Sequence, residues 1–252
     1  MLFSIITVCR NDYKGLKITY ESLKNQNFSD YEWIVVDGDS SDGTKEWLAN
    51  LSRDNCKWIS EPDHGIFDAM NKGIALATGR YLNFMNSCDE FYDSDVLKNV
   101  CAAIQQNNNL RFIYGDSFDV TEEGKLLHKK SRSHKLCWMG MFACHQAMFV
   151  INDKSITYPL NYKFTADYAY VSLHLAKCGD INVYYHNEPI CIFRLGGTSE
   201  RIRYKALIED YNIRRKIQKH GVLKCSALLC LHFMHTIIKK NLPYLSRKIR
   251  YN

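Results

Sequence analysis

From Phe3 to Tyr114 the chain alternates short apolar runs with segments of helical period, and that alternation leaves few folds open. Apolar runs of strand length separated by amphipathic stretches read as βαβ units, which build a mostly parallel sheet with helices on its faces. The pattern predicts strands near Phe3 to Val8, Glu32 to Asp37, Lys57 to Glu61, Arg80 to Met85 and Arg111 to Tyr114. Helices are predicted near Lys14 to Asn25, Gly43 to Arg53, Ile66 to Ala77 and Asp93 to Gln106. "DSSDGT" has Ser and Asp where an N-cap is wanted, and "TGR" places Gly just past a helix end. A chain of 252 residues is most simply one such α/β domain with extensions.

After about Phe118 the pattern changes. "FDVTEEGKLLHKK" predicts a hairpin turning at Glu123-Gly124, and "CHQAMFVIN" a strand after a Trp- and Met-rich loop. "FTADYAYVSLHLAKCG" predicts a helix from Thr165 or Ala166 to Gly179, followed by a strand and a Gly turn in "INVYYHNEPICIFRLGG". Two more helices are expected, from Arg201 to about His220 and from Val222 to Lys240.

In an open parallel sheet, ligands bind outside the carboxyl ends of the strands. Those ends carry Thr7 with Asn11, Asp37 with Asp39, Glu61 with Asp63, and Asn86 with Asp89. Any one of them is an ordinary turn residue. Their recurrence at four successive ends favours a shared site. Neither G-x-G-x-x-G nor G-x-x-x-x-G-K-[ST] follows the first strand, so phosphates need another device. A divalent cation suits a carboxylate site that must accept a diphosphate, and oxygen ligands suit Mg²⁺ or Mn²⁺.

Charge is uneven: from Glu200 to Asn252 there are 13 Lys or Arg against 3 Asp or Glu, +10, which leaves −4 of the net +6 for the rest. A basic tail suits anionic lipid or nucleic acid equally on charge alone, but the body lacks a nucleic-acid motif, so lipid is favoured. The ten cysteines contain no C-x-x-C pair and read as reduced thiols. "MLFSIITVCRND" has neither a basic n-region nor a small-residue cleavage site, which predicts a cytoplasmic chain. Residues Cys225 to Ile238 are too few to span a bilayer, which takes about 20 residues. A helix lying in the surface of an anionic membrane and a core-packing helix with a solvated basic end both remain open for them.

Taken in order, "SIITVCRND", "YEWIVVDGDSSDGT", "SEPDHGIFDAMNKGIALATGRYLNFMNSCDE", "FTADYAY" and "FRLGGTS" resemble the family-two glycosyltransferases over roughly the first 200 residues. The "SEPDHGIFDAMNKG" run is similar to the branch that builds bacterial surface polysaccharides. The resemblance implies the GT-A fold, a Rossmann-like, mostly parallel central sheet flanked by helices, here with a helical C-terminal extension. It implies a division into 1–199, with a donor half 1–117 and an acceptor half 118–199, and a basic extension 200–252. It also implies inverting transfer from a nucleotide-sugar, a UDP-sugar by preference. The acceptor hydroxyl would belong to a saccharide or lipid-linked saccharide used for capsule, O-antigen or exopolysaccharide.

By that resemblance Thr7 and Asn11 border the nucleoside, Asp37 binds base or ribose, and Glu61 or Asp63 closes the base pocket. Asn71 and Lys72 stand where the family keeps an Asn-x-Gly, although a solvated helix face serves Lys72 equally well. Asp89 aligns with the metal-binding carboxylate, while Cys88 occupies the place of a second Asp or a Gly, with Glu90 as a potential assistant. Asp167 matches the catalytic base, a position that also suits a capping Asp, and His145 with Gln146 is assigned to the acceptor side. Two rivals stand beside this reading: a catalytically silent relative acting as a membrane assembly partner, and a sugar nucleotidyltransferase, for which "CRNDYKG" is a poor phosphate loop.

Overall fold

A computed structural model describes residues 1–51, 54–121, 123–194 and 203–241. The first part of the chain contains β1 (Phe3–Cys9), α1 (Tyr13–Lys24), β2 (Tyr31–Asp37), α2 (Thr44–Ala49), β3 (Cys56–Ser60), α3 (Ile66–Leu76), β4 (Tyr81–Phe84), β5 (Glu90–Phe91) and α4 (Val96–Gln106). Then come β6 (Phe112–Val120), β7 (Leu126–Lys129), β8 (Met148–Ile151), α5 (Ala166–Cys178), β9 (Val183–Arg194), α6 (Arg203–Lys216) and α7 (Val222–Asn241). Among the described residues the strands form one sheet in the order β3-β2-β1-β4-β8-β6-β9-β5, with β7 beside β6.

The four strands β3, β2, β1 and β4 are parallel neighbours, as the alternating pattern requires. Every residue of β1 and β2 is buried, which is the condition of a strand covered on both faces. Phe3, Ile5, Trp33 and Val35 pack with Leu16 and Leu23 of α1 and Leu97 and Val100 of α4. Ile6, Val8, Ile34 and Val36 pack on the other face with Met70 and Ile74 of α3 and Ala169 of α5. Each fully buried aliphatic side chain contributes about 1.5–3 kcal/mol, so β1 is committed to both layers at once.

The predicted strand at Arg111 to Tyr114 departs from expectation in two ways. It does not extend the parallel series, because β8 inserts between β4 and β6 and runs antiparallel to both. It also continues to Val120, since its second half pairs with β7 and with β9. The strand expected across "CHQAMFVIN" is only Met148–Ile151, preceded by a short 3₁₀ turn at His145–Ala147. The helix expected from Gly43 to Arg53 is shortened to Thr44–Ala49, and Arg53 lies outside the described residues. The hairpin turns as predicted, with Gly124 at φ 79° and the Thr121 N–H donating to Lys125 O at 3.0 Å. Most of "FRLGGTS" and the basic residues Arg247, Lys248 and Arg250 lie outside the described residues.

At the amino edge of the sheet, Glu32 of β2 is buried and accepts from Ser4 Oγ at 2.6 Å, Thr78 N at 2.6 Å and Thr78 Oγ1 at 2.7 Å. Gly79 N at 3.1 Å and Lys57 Nζ at 2.7 Å complete the set, so one carboxylate joins β1, β2, β3 and the α3–β4 turn. A Cβ on Gly79 would come within 2.6 Å of the Phe3 and Ser4 backbone, which explains glycine there. Burial alone would raise the Glu32 pKa, but Lys57, Ser4 and Thr78 outweigh it and hold it at about 2 rather than 4.5. The folded value is depressed, so this stabilisation is present in full above about pH 4.5 and is lost as pH falls towards 2. Glu32→Ala is expected to lower the unfolding free energy by about 3 kcal/mol at pH 7 and by far less near pH 2, as read by urea melts at the two pH values.

Candidate active site

The loops leaving β1, β2 and β4 share an uncommon backbone feature: Asn11, Asp39 and Cys88 have φ of 50°, 61° and 74°. Asn and Asp tolerate this left-handed region and other side chains do so at about 1–3 kcal/mol, a strain that collects at functional sites. Cross-ties hold the loops in place. The Asn11 N–H donates to Ser40 Oγ at 2.7 Å, Asn11 Oδ1 accepts from Ser41 N at 2.9 Å, and Asp42 accepts from Tyr13 N at 2.8 Å. Asp12 caps α1 through Gly15 N at 3.1 Å and accepts from Ser87 Oγ at 2.7 Å, while Cys88 N donates to Gly15 O at 3.1 Å. The sign of φ also explains why a glycine suits the Cys88 position. Cys88→Gly is expected to leave stability unchanged or raise it by up to about 1 kcal/mol in chemical denaturation, because relieved strain offsets glycine's entropy.

Asp37, the last residue of β2, is fully buried and accepts from Ser40 N at 3.0 Å, Ser60 Oγ at 2.5 Å, Cys9 Sγ at 3.6 Å and Ser40 Oγ. Burial, reinforced by the Asp37 charge, pushes the Cys9 thiol well up, so Cys9 serves as a donor. Asp63 lies against the next residue: a Cβ on Gly38 would sit 2.3 Å from Asp63 Oδ2. Asp63 therefore borders the residue after Asp37, on the side that a Gly38 side chain would take. Glu61 instead pairs with Lys72 at 2.7 Å, Lys72 also donates to Pro62 O at 2.8 Å, and Asp39 pairs with Lys45.

Like Asp37, two more of the expected donor residues make their bonds inside the fold. The Thr7 hydroxyl is fully buried, donates to Met85 O at 2.7 Å and accepts from Trp33 Nε1 at 2.9 Å, so it ties β1 to the loop after β4. The Asn71 amide binds the Tyr158 backbone at both ends, Nδ2 to O at 2.9 Å and N to Oδ1 at 2.8 Å. It therefore anchors the segment leading to α5 onto α3.

Asp89 is 4% exposed and accepts from Gln146 Nε2 at 2.8 Å. Burial holds its pKa well above the usual carboxylate range, and the Gln146 bond offsets only part of that. Gln146, expected on the acceptor side, is turned to the metal-site candidate, and it accepts from Cys144 Sγ at 3.0 Å. Glu90 is held by Arg194 at 2.8 Å. No group of three His, Cys, Asp or Glu suited to a metal occurs among the described residues. The chain offers one hard oxygen ligand beside a thiol that suits Mg²⁺ poorly. Mg²⁺ commonly keeps waters and substrate phosphate oxygens beside one or two carboxylates, and a cation favours the charged form of a buried acid. The residues fit a cation that arrives with a diphosphate.

His145 Nε2 lies 2.8 Å from Tyr158 OH, and its ring stacks on Phe84 at 5.3 Å. Burial lowers its pKa to about 4, so it is neutral at pH 7. Asp167 stands in the first turn of α5, where Oδ1 accepts from Tyr168 N at 2.8 Å and, among the described residues, no side-chain donor reaches it. Burial, with Glu209 adding a smaller repulsion, raises its pKa to about 6. Contacts thus link Asn71, Tyr158 and His145 on one side and Gln146 with Asp89 on the other, and the Asp167 charge bears on the Tyr158 phenol. Sequence reasoning missed Ser40, Ser60, Tyr158 and Glu209. Ser40 stands inside "VVDGDSSDGT", but Glu209 carries no local signal.

Residues 4–158 match the family model described as "Glycosyl transferase family 2". A Mycobacterium bovis (strain BCG / Pasteur 1173P2) protein, "PGL/p-HBAD biosynthesis glycosyltransferase", is 29% identical over 225 residues, covering 82% of this chain and 83% of its own length. The Escherichia coli "UDP-Glc:alpha-D-GlcNAc-diphosphoundecaprenol beta-1,3-glucosyltransferase WfgD" is 25% identical over 186 residues, 72% of each chain. Among solved structures, S. aureus TarS 1-349 in complex with UDP-GlcNAc superposes with a TM-score of 0.67 at 16% identity, over 92% of this chain and 72% of that one. Mannosyltransferase PcManGT from Pyrobaculum calidifontis, in complex with GDP-Man and Mn²⁺, gives 0.61 at 14% identity over 95% and 70%. The fold is the GT-A fold of these glycosyltransferases.

Proposed function

Because this chain belongs to glycosyl transferase family 2 and is a glycosyltransferase, we propose that it inverts a UDP-sugar in one displacement onto the hydroxyl of a lipid-linked saccharide destined for a surface polysaccharide. The observation that carries the reading is Asp167, a carboxylate with no side-chain donor among the described residues and a pKa of about 6, ionised at pH 7 and within charge reach of Tyr158. In the displacement the acceptor O–H gives its proton to Asp167 as its oxygen bonds to the anomeric carbon. The bond to the diphosphate breaks on the opposite side, and its electron pair leaves with the diphosphate. Asp37 at the end of β2 and Asp63 in the loop after β3 serve the nucleoside, with Asn11 and Thr7 fixing the loop and strand beside them and Glu61 with Lys72 closing the rim. Mg²⁺ or Mn²⁺, held by Asp89, would neutralise charge on the leaving diphosphate. The named activity of the E. coli relative supports the UDP-sugar and the lipid-linked acceptor.

A panel of nucleotide-sugars tested by thermal shift, then by transfer to lipid-linked saccharides, tests the proposal. A UDP-sugar that raises the melting temperature and is consumed with inversion supports it. Binding without transfer or hydrolysis, with and without metal, would leave the silent assembly partner as the reading.

Among the described residues no helix is long and apolar enough to cross a membrane. On α7, Leu223, Leu231 and Met234 are 88%, 56% and 61% exposed along one face, while Cys225, Leu228 and Thr236 are buried on the other. An exposed apolar stripe beside Lys219 and Lys224 supports docking on an anionic surface, the inner face of the cytoplasmic membrane in this proposal. Vesicles containing anionic lipid are expected to sediment the protein in low salt, and a Leu223→Ser, Leu231→Ser, Met234→Ser triple variant to stay in the supernatant.

A further inference from the structure

The N-terminus of α5 is capped from a distance. Thr165 stands at the N-cap with φ −134° and ψ 30°, and its side chain makes no capping hydrogen bond. The three successive N–H groups entering the helix converge instead on Glu209 of α6. Lys163 N donates to Oε1 at 2.8 Å, and Phe164 N and Thr165 N donate to Oε2 at 2.9 and 3.0 Å. Thr165 Oγ1 adds a fourth donor at 3.2 Å. A carboxylate in a nest of successive N–H groups at a helix N-terminus is favoured both by the hydrogen bonds and by the helix dipole.

Neighbouring contacts fix α6 so that this cap is rigid. Arg214, one turn further along, is fully buried, donates to Trp138 O at 2.9 Å and Met139 O at 3.2 Å, and lies 3.7 Å from Asp210 Oδ2. Its guanidinium also faces the Tyr168 ring at 5.7 Å, on the helix that bears Asp167. Ile213 joins the core cluster that contains Ala166 and Tyr168. So α6 is built into the acceptor half rather than appended to it.

We propose that Glu209 is a positioning residue for sugar transfer: it ties the three residues entering α5 to α6, and so fixes where the first turn of the helix holds the Asp167 carboxylate. This rests on the reading of Asp167 as the base. Asp167 itself accepts from N–H groups of the first turn, Tyr168 N at 2.8 Å and its own, while the N–H groups of the three preceding residues go to Glu209. Without Glu209 the N–H groups of Lys163, Phe164 and Thr165 lose the carboxylate that binds all three, and the first turn that carries Asp167 is free to shift. A displacement of about 1 Å at a catalytic group costs on the order of 10²-fold in rate.

The test compares Glu209→Ala and Glu209→Gln with the parent protein, using donor KM, donor affinity by calorimetry, kcat corrected for the folded fraction, and the same substitutions in an Asp167→Asn background. Glu209→Ala is expected to lower kcat on the order of 10- to 100-fold with donor KM and affinity within about twofold of normal. Glu209→Gln, which keeps one oxygen for Phe164 and Thr165, should recover part of the loss, and it remains measurable if the alanine variant does not fold. In the Asp167→Asn background, neither substitution should lower the residual rate further. The proposal is overturned if kcat of a folded variant is unchanged, if donor KM and kcat deteriorate together, or if the losses multiply with Asp167→Asn. Near-normal transfer by Asp167→Asn itself would overturn the base assignment instead, a distinct result.

Discussion

Asp167→Asn is expected to fold normally, bind donor with unchanged affinity and transfer sugar about 10²- to 10⁴-fold more slowly. The amide keeps an oxygen for the Tyr168 N–H and has the shape of the acid, so the local hydrogen bond survives. The entry to α5 does not depend on it, since Glu209 holds the Lys163, Phe164 and Thr165 N–H groups. What disappears is the capacity to accept a proton. The pH profile gives a second sign. An acid whose pKa is raised to about 6 is deprotonated at pH 7 and protonated below it, so parental kcat should fall as pH drops through about 6. The same raised value means that the folded state loses stability as pH rises from about 4 to 6, and the Asn variant should lack that loss. Initial rates across pH and calorimetric donor titration check both. Near-normal transfer by the variant would return Asp167 to a structural role. His145 would be a poor substitute, because burial lowers its pKa to about 4, which makes it a weak base, and it is already bonded to Tyr158.

How far the sequence led can be traced through particular residues. β1 to β4 were legible because each is short, apolar and followed by an amphipathic segment, and their acidic ends followed once the sheet was read as parallel. The insertion of β8 was not legible, because four residues, Met148–Ile151, carry no direction of pairing. The same holds for the two residues of β5, whose partners are Cys191 and Ile192 a hundred positions away. In the site, chemistry was visible but its direction was not. Thr7 was singled out at a strand end, yet which face its hydroxyl takes depends on Trp33 across the sheet. Gln146 was paired with the acceptor side by its neighbour His145, whereas the 3₁₀ turn sends the two side chains to Asp89 and Tyr158 separately. Glu209 was read as part of a basic tail because its partners are 44 to 46 residues upstream. Local patterns report burial and period; contacts made across the fold report to no window of the sequence.

Asp89→Asn is expected to lower metal-dependent transfer on the order of 10²- to 10³-fold, whereas Cys88→Gly should keep most activity. The amide can still accept from Gln146 Nε2, so the fold is preserved and only the charge is removed. Buried as it is, Asp89 tends to hold a proton, and a cation must displace that proton to bind. Metal affinity should therefore rise with pH, with proton release accompanying binding. With a single hard ligand and no three-residue group among the described residues, Mn²⁺ alone should bind weakly and UDP should tighten it, because the diphosphate supplies the oxygens the chain lacks. Titrating Mn²⁺ into the protein with and without UDP, in buffers of different ionisation heat, measures coupling and proton release together. Strong Mn²⁺ binding by Asp89→Asn in the presence of UDP would remove Asp89 from the metal site. A Cys88→Gly protein as inactive as Asp89→Asn, with both still folded, would give the thiol a part in the chemistry that its strained backbone and soft sulfur argue against.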